Sequence, residues 1–314
     1  MIIALYVILG LVALTLLFFV IPTMYIAVRV YCGYLVRTSK KKWDRSCSYV
    51  VDDEQVRMYD QGIAWAEENK AAQKPVDVYS GKYHLFGEYF DFGFKKAVII
   101  IAGRSEGCTY SYYFAKPYKE SGFNVLVIDN RAHGLSDGRY NCVGIKEYAD
   151  IIAWAKLLHE DLNNESVICH GICIGSAAAL YAMTCADAPD YLNGLVAEGM
   201  FMTFYESFRN HMIADKRPLF PVLGEVMLLM RIFSGVNVKK HGPVYCINKM
   251  NKPVLFLHSK ADKFSLPETV PSLYEMCGGP KQLVWFEKGA HSHIRINNEA
   301  DYDKAIIDFA GKYF

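Results

Sequence analysis

The sequence lacks several features that would assign it to a familiar class of protein. Its 34 basic and 33 acidic residues leave a net charge of only +1, which argues against a general nucleic-acid binder. It has no repeat period or low-complexity tract, so solenoid and collagen-like architectures are excluded. It also has no phosphate-loop or dinucleotide fingerprint in a strand–turn–helix context, so no cofactor is expected. What remains is a 314-residue chain with 52% hydrophobic residues, which is enough to bury a large core.

The cysteines also lack a pattern. There are nine of them, an odd number, and no C-x-x-C pair occurs among them. This distribution is not typical of a disulfide framework or a zinc cluster, and it indicates reduced thiols in the cytosol. A metal pair formed by His291 and His293 is not favoured either, because no third ligand stands near them. No metal site is therefore expected.

Charge is absent from one long segment, residues 1–28. Residues 2–21 are an apolar run of 20 residues, which as a helix would span ~30 Å, the thickness of a bilayer core. Pro22 stands near the far end, where a break in a helix costs little. A cleaved signal peptide would need a basic start and small residues at a cleavage site, and neither is present. We therefore predict that residues 1–28 form an uncleaved transmembrane anchor.

A basic cluster follows the apolar run directly. It carries six bases against the single acid Asp44, a local charge of +5, so the rest of the chain carries −4. Because positive flanks stay in the cytoplasm, we predict a single-pass membrane protein whose catalytic part is cytoplasmic. The same bases could also attract anionic lipid headgroups. The predicted juxtamembrane segment and linker helix cover residues 29–75, and the six bases are Arg29, Arg37, Lys40, Lys41, Lys42 and Arg45.

Beyond the linker, short apolar runs alternate with helical patterns. This alternation predicts an α/β domain over residues 76–314, with a mainly parallel sheet covered by helices on both faces. In such sheets the chemistry lies at the carboxyl ends of the strands. The predicted strands are residues 76–79, 85–92, 97–102, 124–128, 166–170, 194–197, 254–258 and 282–286. The predicted helices include residues 52–71, 145–162, 176–185 and 300–312.

One of these strands runs into the pattern G-x-C-x-G at residues 171–175, and small residues that begin a helix follow it. This is the context of a nucleophile elbow, in which glycines on either side relieve the crowding of a tight turn. Cys173 occupies the position of the nucleophile. Ser176 cannot replace it, because the residue two positions before Ser176 is Ile174 rather than glycine. A working thiol is favoured over an inactive site because the rest of the machinery is complete.

An acid and a base follow in the required order. Asp262 lies after the penultimate strand and His291 after the last one. We predict that His291 deprotonates Cys173 and that Asp262 orients the imidazole. His293 is the nearest competitor for the base, but His291 stands directly after Gly-Ala. Glu198 ends the strand next to the elbow, and it is a candidate substrate contact, an alternative acid or a buried structural carboxylate.

An oxyanion hole needs two backbone N–H groups. We expect one from Ile174, directly after the nucleophile, and the other from Arg104, in the loop that follows strand 97–102. Gly103 lets the backbone come close. The Arg104 side chain is suited either to a substrate carboxylate or phosphate, or simply to a surface acid.

With these residues in place, the sequence resembles the monoglyceride lipase/lysophospholipase branch of the α/β-hydrolases, also called serine aminopeptidase-like. The resemblance covers about residues 76–314. It rests on residues 103–107 with Tyr110, on residues 121–125, on the run DNRAHGLSDG at 129–138, and on the elbow, acid and histidine. The resemblance implies a lid inserted after the sixth strand, here residues 199–250, which are rich in Met, Phe and Leu.

The sequence departs from the family pattern at three positions. Ala102 replaces the histidine before the oxyanion glycine, Ala132 replaces a glycine, and Cys173 replaces the serine. The leading prediction is a membrane-anchored hydrolase that cleaves an ester or thioester of a lipophilic acyl substrate through an acyl-cysteine. Two alternatives remain. Cysteine at the elbow resembles polyhydroxyalkanoate synthases and bile-acid acyltransferases, so one is an acyltransferase; the other is a non-catalytic, hydrolase-like membrane protein.

Overall fold

A computed structural model describes residues 2–47 and 52–314, and an eight-stranded sheet forms its centre. The strand order is β1-β2-β4-β3-β5-β6-β7-β8. β1 and β2 pair with antiparallel neighbours, and every pair from β4 to β8 is parallel. The strands are β1 Gln73–Ser80, β2 Tyr83–Phe90, β3 Lys96–Ile101, β4 Phe123–Ile128, β5 Ser166–Ile172, β6 Leu192–Glu198, β7 Val254–Ser259 and β8 Lys281–Phe286. Residue 1 of the predicted anchor and residues 48–51 of the predicted linker lie outside the described residues.

The inner strands are apolar on both faces, and this explains their position. Successive residues of a strand point to opposite sides of the sheet. In β3, Val98 and Ile100 belong to one apolar layer, whereas Ile99 and Ile101 belong to the other. The predicted fold class, a mainly parallel α/β sheet with helices on both faces, is confirmed.

Eleven helices surround the sheet in the described part of the chain, several of them extended by a tighter or wider turn. They are α1 Ile2–Leu35, α2 Asp53–Glu68, α3 Cys108–Ser111, α4 Lys116–Glu120, α5 Tyr148–Lys156, α6 Ile174–Thr184, α7 Phe204–Ala214, α8 Val222–Leu229, α9 Val270–Met276, α10 Ile294–Asn297 and α11 Glu299–Tyr313. Helices α7 and α8 lie in the connection between β6 and β7, residues 199–253, which we call the cap segment. The resemblance places a lid at this point of the chain.

Helix α1 is long and apolar enough to cross a membrane, judged by its length and composition. It does not break at Pro22 but continues to Leu35. A π-helical turn, Leu16–Val20, ends two residues before the proline. Such turns absorb irregularities in the hydrogen-bond ladder, which accounts for the continuity of the helix through a residue without an N–H group.

The last turns of α1 are part of the folded domain. Ala27, Val30 and Leu35 are buried in the same apolar layer as one face of the sheet. The Thr23 hydroxyl donates a hydrogen bond of 2.9 Å to Glu225 of α8. The helix therefore leaves its apolar first half exposed and attaches its second half to the cap segment.

The basic cluster is only partly exposed. Arg37 donates to the carbonyls of Gly134 and Ser136, and Arg45 forms ion pairs with Glu88 and Asp129. Lys42 is bound by three backbone carbonyls. Arg29, Lys40 and Lys41 are exposed. Half of the cluster that could attract lipid headgroups therefore binds the protein itself.

Candidate active site

Cys173 occupies the tight turn between β5 and α6, with φ 55° and ψ −110°. A side chain larger than hydrogen would not fit at either flanking glycine. A Cβ atom on Gly171 would lie 2.3 Å from the Ser176 nitrogen, and one on Gly175 would lie 2.3 Å from the Ile101 carbonyl oxygen. The two glycines let the strand, the turn and the helix come together, and the strained residue between them carries the thiol.

Asp262 and His291 lie at the ends of neighbouring strands, and their side chains form a hydrogen bond. His291 Nδ1 is 2.7 Å from Asp262 Oδ2. The other oxygen, Oδ1, accepts hydrogen bonds from the backbone N–H groups of Phe264 and Ser265. Burial alone would raise the pKa of Asp262, but the charge and hydrogen bond of His291 outweigh it and the pKa is lowered. The carboxylate is therefore ionised and fixed in orientation.

His291 is the link between this carboxylate and the thiol. Burial alone would lower its pKa, but the negative charges of Asp262 and of the Cys173 thiolate raise it well above the usual value. Since Nδ1 is occupied by Asp262, Nε2 is the nitrogen left for Cys173. Nε2 is buried and has no partner in strict hydrogen-bond geometry among the described residues. A long or poorly aligned contact of this kind is common in catalytic pairs before substrate binds.

The two predicted oxyanion amides lie at the expected ends of their elements. Ile174 is the first residue of α6, and Arg104 lies in the loop after β3. Neither backbone N–H donates a hydrogen bond to any residue that the structure describes. The loop is shaped by Glu106, whose carboxylate accepts a hydrogen bond from the Gly103 N–H at 3.2 Å. The loop begins beside the elbow, because the carbonyl of Ile101 at the end of β3 lies against Gly175. Burial lowers the pKa of the Arg104 guanidinium.

Glu198, the candidate substrate contact, is fully buried behind the elbow. Its carboxylate accepts a hydrogen bond from the Tyr302 hydroxyl and lies 3.9 Å from His170 Nε2. Burial raises the pKa of Glu198 to about 7. Its backbone carbonyl accepts the Cys173 N–H at 2.9 Å, so Glu198 supports the turn. A substrate could reach the carboxylate only if the side chains that cover it moved.

Two residues near His291 were not singled out from the sequence. Gly199 has φ +58°, and a Cβ atom there would lie 3.2 Å from Cε1 of His291, so a glycine gives the imidazole its space. The sequence signal that could have indicated this glycine is its position directly after β6, at the edge of the sheet where the site lies. His211, from the cap segment, stacks on Phe264 with ring centroids 3.7 Å apart, and its ring centroid is 6.2 Å from that of His291. Burial lowers the pKa of His211, so this second imidazole is neutral. Nothing local in the sequence indicated it.

The thiol of Cys173 is covered in this structure. Only 7% of Cys173 is exposed, and it shares an apolar cluster with Phe201, Phe204 and Phe208 of the cap segment. A cavity of about 680 Å³ borders the loop that follows β3, and Arg104 is among its lining residues. A second cavity of about 210 Å³ lies beside Phe264. Among residues 2–47 and 52–314, no group of three His, Cys, Asp or Glu side chains is placed to hold a metal ion.

The geometry can be compared with known proteins. A family model described as alpha/beta hydrolase fold matches residues 96–220. The uncharacterized protein YqkD of Bacillus subtilis is 31% identical over 216 residues, which cover 68% of this chain and 70% of YqkD. The uncharacterized protein YfhR of Escherichia coli is 25% identical over 191 residues, 60% of this chain and 61% of YfhR.

Solved structures share the fold at lower identity. The Pyrococcus furiosus esterase Pf2001 matches with a TM-score of 0.66 and 21% identity, over 79% of this chain and 94% of the esterase. An esterase from Exiguobacterium antarcticum matches with a TM-score of 0.57 and 14% identity, over 75% and 99% of the two chains. The sheet order, the strand–turn–helix elbow and the match to YqkD agree, and the chain belongs to the α/β-hydrolase family.

Proposed function

We propose that the protein is a membrane-anchored hydrolase that cleaves an ester or thioester of a lipophilic acyl group, with Cys173 as nucleophile. The observation that carries the proposal is the Asp262–His291 hydrogen bond of 2.7 Å, next to a thiol on a strained elbow. An aspartate that fixes the imidazole, and an imidazole whose pKa is raised by the thiolate, form the relay that thiol acyl chemistry needs. Structural similarity to esterases supports the same reaction class.

In the first half-reaction the Cys173 thiolate attacks the acyl carbonyl carbon. A carbon–sulfur bond forms, and the carbonyl electrons move onto oxygen, where the backbone N–H groups of Ile174 and Arg104 would bind the developing charge. When the tetrahedral intermediate collapses, the bond to the leaving alcohol or thiol breaks. The His291 imidazolium gives its proton to that leaving group.

The second half-reaction removes the acyl group from sulfur. Neutral His291 takes a proton from water, and the resulting hydroxide attacks the thioester carbon. The carbon–sulfur bond then breaks, the carboxylic acid leaves, and Cys173 and His291 return to the thiolate and imidazolium forms. Asp262 keeps the imidazole in the same orientation through both halves.

The cap segment supports a lipophilic substrate. Flexible and aromatic side chains, among them Phe204, Phe208 and Met227, share the apolar cluster of Cys173. Such side chains suit an acyl chain. We assign the protein by resemblance to the monoglyceride lipase/lysophospholipase branch, with a thiol in place of the hydroxyl, and we interpret the cap segment as its lid.

The first prediction concerns the nucleophile. In full-length protein in detergent micelles, Cys173→Ala should abolish hydrolysis of p-nitrophenyl butyrate and of a short acyl thioester, because it removes the sulfur that forms the acyl intermediate. Cys185→Ala is the matched control, since Cys185 lies at the other end of the same helix, α6, and should leave turnover unchanged. Equal turnover by wild type and Cys173→Ala would exclude the proposed nucleophile.

The second prediction concerns pH. Because Asp262 holds the pKa of His291 above its usual value, kcat/KM for an alkyl ester should fall as pH rises through that raised pKa and the leaving group loses its acid. In Asp262→Asn the fall should move to lower pH. The same pKa difference affects the stability of the fold. The contribution of charged His291 to the free energy of unfolding is complete at pH values below its unfolded-state pKa of ~6.5, and it is lost as pH rises through the raised pKa of the folded state. An alkaline limb that stays in place in Asp262→Asn would contradict this role of the aspartate.

The third prediction concerns topology. The uncharged residues 1–28 and the basic cluster that begins at Arg29 support a single pass with the catalytic part in the cytoplasm. Protease added to intact cells should therefore leave the catalytic domain uncut, and it should digest the domain after the membrane is permeabilised. Digestion in intact cells would reverse the proposed orientation.

A further inference from the structure

The loop that contains Arg104 is in contact with the end of helix α1 and with the chain segment that follows it. We call residues 103–107 the oxyanion loop and residues 34–45 the collar. We propose that the collar positions the oxyanion loop, so that the end of the membrane anchor is a working part of the active site and not only a tether. The proposal rests on the proposed function, because it concerns the oxyanion hole of that reaction.

The first contact runs from Trp43 through a histidine to the backbone of the loop. The Trp43 indole stacks on His133, with ring centroids 4.7 Å apart and an angle of 13° between the planes. His133 Nε2 lies 2.5 Å from the Arg104 carbonyl oxygen. Asn141 donates to the same oxygen at 3.3 Å. His133 Nδ1 lies 2.9 Å from the Arg131 carbonyl oxygen, and the Trp43 indole covers one face of the ring, so the stack and this second contact together orient the ring that binds the Arg104 carbonyl.

The backbone of Trp43 adopts an unfavourable conformation, which the contacts around it must hold in place. Trp43 has φ 58°, a left-handed conformation that is a genuine outlier for a bulky residue. Its carbonyl accepts the Gly134 N–H at 2.7 Å, and its side chain is buried. Strain of this kind persists only where surrounding contacts hold it, and it is concentrated at functional sites.

Lys42 connects this residue to the helix end. Its ammonium donates to the carbonyls of Cys32, Gly33 and Val36 at 2.6, 2.7 and 2.6 Å. These are carbonyls at the end of α1, which the helix itself leaves without partners and where a cation is favoured. The same ammonium lies 4.3 Å from the centre of the Trp43 ring. The end of α1 and the indole are thus held by one charge.

Two more contacts reach the loop directly. The Arg104 guanidinium lies 4.8 Å from the centre of the Tyr34 ring and donates to the Tyr34 carbonyl at 3.2 Å. At the other end of the loop, a Cβ atom on Gly107 would lie 2.8 Å from the Asp44 carbonyl oxygen. The collar chain therefore passes in close contact with the loop at both ends.

These contacts have a catalytic consequence because oxyanion binding depends on position. Losing one oxyanion donor costs about 100-fold to 1000-fold in kcat, and a shift of ~1 Å can cost about 100-fold. The Arg104 residue is held at its carbonyl through His133 and at its side chain by Tyr34. If either contact is removed, the Arg104 N–H is freed to move, while the Asp262–His291–Cys173 relay, which lies on other strands, stays intact.

The test separates these two parts of the site. In full-length protein in detergent micelles, Trp43→Ala should lower kcat for p-nitrophenyl butyrate by about 10-fold to 100-fold, with little change in KM. Alkylation of Cys173 by iodoacetamide, followed on the Cys173 peptide by mass spectrometry, needs the thiolate but no oxyanion hole, so its rate should stay within about twofold of wild type. Trp43→Phe keeps a ring that can stack on His133 and should recover most of kcat.

A second variant keeps the test open if Trp43→Ala fails to fold. Lys42→Met, which removes the cation that joins the end of α1 to the Trp43 ring, should show the same split between turnover and alkylation. Lys41→Met, at the neighbouring exposed lysine, is the matched control and should match wild type in both assays. Wild-type kcat in both Trp43→Ala and Lys42→Met, or a parallel loss of turnover and alkylation, would overturn the inference. Absence of turnover in the wild-type protein would instead overturn the proposed function, and the inference with it.

Discussion

The backbone of Cys173 is held in a strained conformation, and most of the site depends on the contacts that stabilise it there. A positive φ at a non-glycine residue is strained by ~1–3 kcal/mol. It is tolerated here because strand β5, helix α6 and the neighbouring carbonyl of Ile101 meet where Gly171 and Gly175 leave room for them. The Glu198 carbonyl then accepts the Cys173 N–H. The thiol is consequently presented at the carboxyl edge of the sheet, beside the first turn of a helix.

The other elements of the site are brought to that edge by the parallel order of the strands. Strands β7 and β8 are neighbours, so the loops that follow them start side by side. Asp262 lies in the first of these loops and His291 in the second, and their side chains form the 2.7 Å hydrogen bond. β3 delivers the loop that contains Arg104 from the other side of β5. The cap segment closes over the thiol with apolar side chains, and helix α1 binds that segment through Thr23. The strand ends, the cap segment and helix α1 are therefore in contact with one another as one continuous structure.

Much of this arrangement could be predicted from the sequence, because it depends on local patterns. Short apolar runs located the strands to within a few residues, and the pattern G-x-C-x-G located the elbow. The chain order of Cys173, Asp262 and His291 indicated side chains that the structure brings to the same edge of the sheet. Each of these signals is contained within a few neighbouring residues.

Contacts between distant parts of the chain could not be predicted in this way. The stack of Trp43 on His133 joins residues 90 positions apart, and no local sequence pattern near either residue predicts it. The contact of α1 with the cap segment joins Thr23 to Glu225, about 200 residues away, and helix propensity does not include it. His211 reaches the site only because the cap segment folds back over it. The basic cluster was interpreted from its charge alone, whereas Lys42 in fact binds the carbonyls at a helix end.

The proposal that Cys173 carries the acyl group is tested most directly by the mass of the intact protein after brief incubation with p-nitrophenyl butyrate and an acid quench. A working thiol predicts a mass increase of one butyryl group, located on the Cys173 peptide, that disappears on incubation in water. An adduct that is stable in water but released by an added amine or alcohol would contradict hydrolysis and indicate acyl transfer. The absence of any adduct on Cys173, in a protein that also fails to turn over the ester, would contradict the claim itself.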